Sequence, residues 1–396
     1  MNFKVDLFQS RFISNDFQMK YMPKTYTFLL LGILLLQSSC QEELPMDHSV
    51  AFQELLDKNV FPRSLPPGLG VHVEAPIYGI SWAGVAGVSK TDTDQKVNIN
   101  QPYRIASITK TFVATSILLL YEEDQLSIDD PIINYLSEAH IGILQKGNYT
   151  LDKITIRQCL NHTSGLFDYA RSKRFEEIAL GEPNHNWTRT EQLKGAMEWG
   201  EATGSPGELY EYSDTGYILL GEVIERLTQQ NLGMAVRQLI GYDRLGLQHT
   251  WWEKLEPTPP NALPQVSRYK GGRDVTSIDP SIDLYGGGGI VSTSTDLALF
   301  IQHLFNHRIF KQKATLDLML SKPNFPPDYI PYKDCRLGIF KITLYGMEVF
   351  MHSGIWGTQL IHIPDYNASI ALNHTNWGQY YVLKQIVHLL GRYVSE

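Results

Sequence analysis

Two residues three positions apart set the first chemical expectation. Ser107 and Lys110 stand in Arg104-Ile-Ala-Ser-Ile-Thr-Lys110, and on a helix that spacing puts a hydroxyl and an amine on one face, within reach of each other. The run behind them, Thr111 to Tyr121, is apolar nearly all round, which predicts a helix buried on every side. A hydroxyl and an amine at the mouth of a buried helix suit nucleophilic catalysis. First-turn N–H groups can hold an oxyanion, and the positive helix end presses Lys110 toward the neutral amine that a base needs. The same pattern occurs again as Ser267-Arg-Tyr-Lys270. That copy follows Pro264, precedes Gly271-Gly272 and has no buried helix behind it, so its spacing reads as chance.

Two further stretches could complete a site. Tyr212 lies in Tyr210-Glu-Tyr-Ser-Asp-Thr-Gly-Tyr217, just before a predicted helix, with Ser213 or Asp214 as candidate N-caps. An ordinary cap among aromatic neighbours would read the same way. As chemistry, a phenol beside a lysine ammonium is driven toward phenolate and could take the proton of Ser107. Met351-His-Ser-Gly-Ile-Trp-Gly357 ends a predicted strand. One reading is a turn with a structural histidine. The other is an edge strand ending in Gly354 that lies along a substrate and gives one backbone N–H to an oxyanion.

The elements that must position these residues are legible in outline. The chain has 396 residues, 43% apolar and 19% charged, with a net charge of −8 and no basic block. This composition is ordinary for a soluble globular protein, and nucleic acid is not an expected partner. Asp47 to Val60 reads as a helix, Pro62 to Gly70 as a breaker-rich turn, and Ile77 to Val88 as a strand lying close to other backbone. Within that strand, Gly79-Ile-Ser-Trp-Ala83 lacks the final glycine and the following helix of a nucleophile elbow and is rejected. Asp130 before Pro131 is a plausible N-cap, Thr155-Ile-Arg-Gln158 is a capping box, and Thr215 to Leu227 is a clear amphipathic helix. The glycine run Gly286 to Gly289 has no following Lys-Ser or Lys-Thr, so it reads as close backbone packing beside a site and not as a phosphate loop. Thr293 to Asp296 caps a helix to about His307. The period then changes to strands at Gly338–Leu344, Met347–Met351, Thr358–Ile363 and Ala368–Asn373. The last two form a hairpin over Pro364-Asp-Tyr-Asn367, and a final helix spans Tyr380–Leu390. The expected fold class is mixed α/β (α+β): an antiparallel sheet flanked by helices, built from both chain ends at 49–115 and 285–396, with an all-helical lobe at 116–284 inserted.

The N-terminal segment 1–40 reads as targeting. Lys20 and Lys24 precede an apolar core, Tyr26 to Leu36, that is too short to span a bilayer and ends at Gln37-Ser-Ser-Cys40. Met19 or Met22 are alternative starts. The ending resembles a bacterial lipoprotein signal with lipidation at Cys40, although Gln37 departs from the small or branched residue usual there; a plain cleaved signal is the other reading. Residues 41–48 then form a polar linker, and the expected location is the periplasm or cell surface, lipid-anchored in a bacterial envelope. Cys159 reads as a buried small hydrophobe, and its pairing with Cys335 is left open. No Cys or His spacing suggests a metal site, and no cofactor is expected.

Together these stretches resemble the penicillin-recognising serine hydrolases, in the branch of class C β-lactamases, D-alanyl-D-alanine carboxypeptidases and related esterases. The three motifs stand in family order as Ser107-Ile-Thr-Lys110, Tyr212-Ser-Asp214 and His352-Ser-Gly354. Leu126 to Pro131, Leu160-Asn-His-Thr-Ser-Gly-Leu166, Pro206-Gly207 and Gly288-Gly-Ile-Val-Ser-Thr293 match as well. The resemblance implies a β-lactamase/transpeptidase-like fold with the site between sheet unit and helical lobe. It implies Ser107 as acylated nucleophile, Lys110 and Tyr212 sharing the acid and base roles, and the N–H groups of Ser107 and Ile355 as the oxyanion hole. Asp214, His352, Ser353 and Gly354 would line the substrate, while His162 and Ser164 would be structural. Asp214 replaces the common Asn, and His352 replaces the lysine of lactamases. Both changes argue against an anionic substrate. The implied activity is an acyl-enzyme serine hydrolase on an amide or ester, β-lactamase-like or D-alanyl peptidase-like. The alternatives are an esterase on neutral esters and a catalytically weak peptidoglycan- or β-lactam-binding sensor. The implied partner is a small-molecule or peptide substrate such as a peptidoglycan stem peptide or a β-lactam.

Overall fold

Period-two alternation in the last third of the chain builds a sheet with two buried faces. The computed structural model describes residues 47–60, 67–91, 93–147, 149–323, 334–374 and 381–395; the segment with Cys40 lies outside them. The strands in chain order are β1 (Gly68–Ala75), β2 (Ile80–Gly87), β3 (Tyr103–Arg104), β4 (Trp251–Trp252), β5 (Tyr269–Lys270), β6 (Arg273–Asp274), β7 (Ile290–Ser292), β8 (Asp334–Cys335), β9 (Phe340–Leu344), β10 (Met347–Gly354), β11 (Thr358–Ile363) and β12 (Ala368–His374). Seven of them form one antiparallel sheet in the order β2-β1-β12-β11-β10-β9-β8. The two strands nearest the N-terminus therefore join the five nearest the C-terminus.

Leu69, Val71, Val73, Ile361, Ile363, Ile370 and Leu372 pack on one face, against Phe52 and Leu56 of the helix His48–Lys58 and against Val382, Ile386 and Leu390 of the helix Tyr381–Ser395. Leu360, Ala371 and Phe350 face the other way and join the larger core, with Leu297, Phe300 and Leu304 of the helix Ser294–Phe305. Burying one such side chain contributes about 1.5–3 kcal/mol, which is what holds the register.

Several local expectations hold as structure. Thr155 caps the helix Ile156–Leu160 with a full capping box, Thr293 caps the Ser294 helix, and the Pro364–Asn367 hairpin forms. Others are corrected. β1 falls partly in the stretch read as a turn, because its glycines and the preceding proline hide an inner strand. β10 is an inner strand along its first part only: it pairs with β11 over Phe350–Gly354 and with β9 over Met347–Met351, so the edge reading is confined to His352–Gly354. Asp130 caps no helix; its carboxylate accepts from the N–H of Ser127 and the hydroxyl of Tyr135, ahead of a 3-10 turn. Cys159 and Cys335 are buried thiols, and burial pushes the Cys159 thiol up, away from thiolate.

The helix Thr109–Glu122 is buried at every position from Thr109 to Leu120. Its polar side chains find backbone acceptors: Thr115 Oγ1 on Thr111 O at 2.7 Å, Ser116 Oγ on Phe112 O at 2.9 Å, and Thr111 Oγ1 on Gly338 O at 2.8 Å. These bonds remove the desolvation penalty that three hydroxyls would otherwise carry. Phe112 stacks on Phe300 at 3.7 Å, fixing the buried helix to the layer over the sheet.

Candidate active site

The site begins at a turn, not at a plain helix start. Arg104 ends β3 with its guanidinium on both oxygens of Glu253 (2.6 and 3.3 Å) and on Ile278 O (2.7 Å). Ala106 then takes φ 47°, the left-handed region, and a 3-10 turn Ala106–Ile108 precedes the buried helix. A non-glycine residue there costs on the order of 1 kcal/mol, which persists where tertiary contacts over-determine the chain. Ser107 follows half-exposed, whereas Lys110, one turn on, is fully buried.

Lys110 Nζ donates to Ser107 Oγ at 3.1 Å and to Gly287 O at 2.6 Å, and meets Asp214 Oδ1 at 2.6 Å. It also lies 5.1 Å from the Tyr212 ring centre and 5.4 Å from that of Tyr217. The helix-end expectation for Lys110 takes no account of this neighbour: a carboxyl group from another element is in contact with the buried Nζ. Gly287 O arrives through the ribbon β3-β7-β4, where Ile105 N–H donates to Ile290 O at 3.0 Å. A Cβ at Gly287 would stand 3.2 Å from the Asp214 carboxyl carbon, so the glycine run is close packing beside the site, as read.

Tyr212 hydrogen-bonds the Ser107 hydroxyl, so Ser107 sits between an amine and a phenol. The expected drive toward phenolate is reversed. Burial, and then the Asp214 carboxylate, push the Tyr212 phenol well above its ordinary value, outweighing its bond to Ser107. His162 positions this tyrosine. Its own φ is 60°, its Nδ1 accepts the Ser213 N–H at 3.1 Å, its carbonyl accepts the Glu211 N–H at 2.9 Å, and its ring stacks on Tyr212 at 4.1 Å. Asp214 opens the helix Asp214–Thr228, whose N-cap is Ser213 without a side-chain cap bond.

Asp168 enters from the loop after Leu166 and was not singled out by sequence. Its Oδ1 accepts the N–H of Asp214 at 3.2 Å and of Ala170 at 3.1 Å, and the residue is 4% exposed. Burial and the neighbouring Asp214 carboxylate push it up to about 8, against the pull of Lys110 and the two N–H groups. Asp283 is likewise raised, to about 6, by burial first, with Arg104 opposing. Only the position of Asp168, two residues past a matched motif, could have hinted at it.

β10 brings the third motif in. A Cβ at Gly354 would lie 2.3 Å from Ile105 O and 3.0 Å from the Ala106 Cβ, so the strand end abuts the Ser107 turn and requires glycine. Thr358 Oγ1 donates to Ile105 O at 3.0 Å and fastens the contact. Ile355 follows, 42% exposed, and Ser353 is half-buried. His352 is buried, its ring tilted against Phe340 at 5.2 Å. Of the Ser267–Lys270 copy, Tyr269 and Lys270 form β5, and no helix starts behind them as one does behind Ser107. Among the described residues no group of three or more His, Cys, Asp or Glu side chains could hold a metal ion.

Comparison with known proteins adds an independent line. A family model described as Beta-lactamase matches residues 77–384. Protein flp of Staphylococcus aureus (strain N315) is 33% identical over 147 residues, 37% of this chain and 27% of its own length. A putative penicillin-binding protein, PbpX, of Bacillus subtilis (strain 168) is 26% identical over 214 residues, 54% of this chain and 48% of its own length. The matched stretches thus span less than half of these relatives. Among solved structures, a D-stereospecific amidohydrolase from Streptomyces sp. superposes with a TM-score of 0.70 at 29% identity, covering 84% of this chain and 96% of that one.

Proposed function

The chain belongs to the Beta-lactamase family, and from that premise we propose a serine hydrolase that cleaves an amide or ester through an acyl-enzyme. The observation that carries the reading is Ser107 held between two proton-transfer groups, Lys110 Nζ at 3.1 Å and the Tyr212 phenol. In this reading Ser107 Oγ attacks the carbonyl carbon, its proton passes to the Lys110–Tyr212 pair, and the tetrahedral oxyanion is held by the N–H groups of Ser107 and Ile355. The pair returns the proton to the leaving nitrogen or oxygen as the scissile bond breaks. Water then releases the acyl group from Ser107. For Ser107 to lose its proton, one of Lys110 and Tyr212 must first stand in its proton-accepting form.

Asp214 bears on the substrate class. A carboxylate in contact with Lys110 repels an anionic group at that side of the cleft, so neutral esters and amides are favoured over penicillins. The amidohydrolase neighbour agrees in reaction type. The ion pair also favours one second reading, a sensor that acylates and turns over slowly, because a carboxylate occupies one side of the Lys110 Nζ that a base would use. Export and lipid anchoring at Cys40 belong to the same proposal and would put the cleft outside the cytoplasm.

The experiment is a panel of nitrocefin, a D-Ala-D-Ala peptide and a p-nitrophenyl ester, with intact-mass detection of the acyl adduct. Sustained turnover with an adduct mapped to Ser107 supports the hydrolase; a single burst supports the sensor. An adduct at Ser81, Ser267 or Ser353 overturns both.

A further inference from the structure

Residues 265–278 touch both sides of the proposed oxyanion site. Ala106, one residue before Ser107, and Trp356, one residue after Ile355, are buried in a single apolar cluster with Val275 and Ile278. Arg268 is 2% exposed and lies 5.7 Å from the Trp356 ring centre. Its Nη2 donates to Thr276 O at 2.7 Å, its backbone N–H to Thr276 Oγ1 at 2.9 Å, and its carbonyl accepts the Val275 N–H at 2.9 Å. The same guanidinium starts a chain of side chains that ends at the nucleophile turn. Arg268 Nη1 donates to Gln265 Oε1 at 3.0 Å, Gln265 Nε2 to Glu253 Oε1 at 3.0 Å, and Glu253 is the bidentate partner of Arg104. Ile278 O closes the loop by accepting from Arg104 Nη1.

We propose that Arg268, its guanidinium over the Trp356 ring and tied through Gln265 and Glu253 to Arg104, is a positioning residue that sets the spacing between the Ser107 and Ile355 N–H groups. This rests on the oxyanion assignment of the proposed function. Each anchor is one residue from an N–H donor, so a displacement at the anchor passes along the backbone with little loss. An oxyanion donor works over a tolerance of about 0.5 Å, and removing one donor costs on the order of 100-fold to 1,000-fold in rate. A planar guanidinium suits this place because it can lie on an indole face while its fork donates to two acceptors at once; a lysine ammonium can do one or the other. The Ser267–Lys270 repeat, read in sequence as chance spacing, thus contains a residue with work in the site, though not as a second nucleophile pair.

The test compares wild type with Arg268→Lys, Trp356→Phe and Trp356→Leu. Three quantities are read for each: the single-turnover acylation rate with a p-nitrophenyl ester, KM, and the affinity of an aryl boronic acid. The boronic acid adds Ser107 Oγ to boron and places a tetrahedral oxygen where the oxyanion would sit. For Arg268→Lys and Trp356→Leu the acylation rate should fall roughly 10-fold to 100-fold with KM within about 3-fold, and boronate affinity should fall by the same factor as the rate. Trp356→Phe keeps an aromatic face and should stay within about 3-fold of wild type. A merely structural role would lower all activity in proportion to folded protein, without a matching loss of boronate affinity per folded molecule; that result overturns the proposal. So does unchanged acylation by Arg268→Lys. Labelling wild type and Ser107→Ala with a fluorophosphonate separates the two levels. No adduct at Ser107 in wild type removes the proposed function, and this inference falls with it. An adduct at Ser107 together with indifferent Arg268 variants removes the inference alone.

Discussion

Asp168→Asn isolates a buried charge whose cost the structure allows to be worked out. Asp168 is raised from 3.8 to about 8 by burial and by the carboxylate of Asp214. Between those values the native chain holds a proton that the unfolded chain has released. Stability therefore falls as pH rises through this window: the contribution is complete below pH 4 and lost as pH passes 8. Each tenfold change in proton affinity is worth about 1.4 kcal/mol, so the whole window amounts to several kcal/mol, about 6 at most. Asparagine keeps an Oδ1 acceptor for the N–H groups of Asp214 and Ala170 and removes the titration. Urea or thermal unfolding of wild type and Asp168→Asn at pH 5 and pH 8.5 reads the difference. The variant should gain on wild type by several kcal/mol at the higher pH, and for a unit of roughly 350 residues 6 kcal/mol corresponds to about 8 °C in Tm. Asp214→Asn, by removing the second-largest cause of the shift, should narrow the same window. A constant gap between wild type and Asp168→Asn at the two pH values would refute the argument.

Ser107→Ala should abolish steady-state turnover and covalent labelling while leaving the melting curve within about 2 °C of wild type; residual adduct would place the nucleophile elsewhere. Asp214→Asn removes a charge 2.6 Å from Lys110 Nζ, a contact of about 6 kcal/mol before desolvation at an effective dielectric of 20. The ratio of kcat/KM for nitrocefin over a neutral ester should then rise roughly tenfold or more. A fall in that ratio would mean that the carboxylate serves lactam chemistry. Cys40→Ser should abolish labelling by a palmitate analogue in a bacterial host, and an unlabelled wild type would mark the segment as a plain signal.

Much of the outcome is local and so is written along the chain. The three-residue spacing of Ser107 and Lys110, the apolar run behind them, the capping residues Thr155 and Thr293, and the alternation in β10 to β12 each act within one or two turns or along one strand. Hydrogen bonding and burial at that range leave a period in the residue order, which is why these elements and the residues gathered at the cleft could be named from sequence. Chemical state at the site is decided at long range. Lys110 takes its carbonyl from Gly287, 177 positions away, and its carboxylate from Asp214. Asp168 reaches Asp214 across 46 positions, and the turn before Ser107 is pinned by Glu253, Ile278 and Gly354. Contacts between segments so far apart impose no periodicity on either one. The sequence therefore determined the Ser107, Lys110, Tyr212 and His352 stretches, while tertiary packing alone brought in Asp168 and raised the proton affinity of Asp168 and Tyr212, because burial and neighbouring carboxylates are not properties of the local chain.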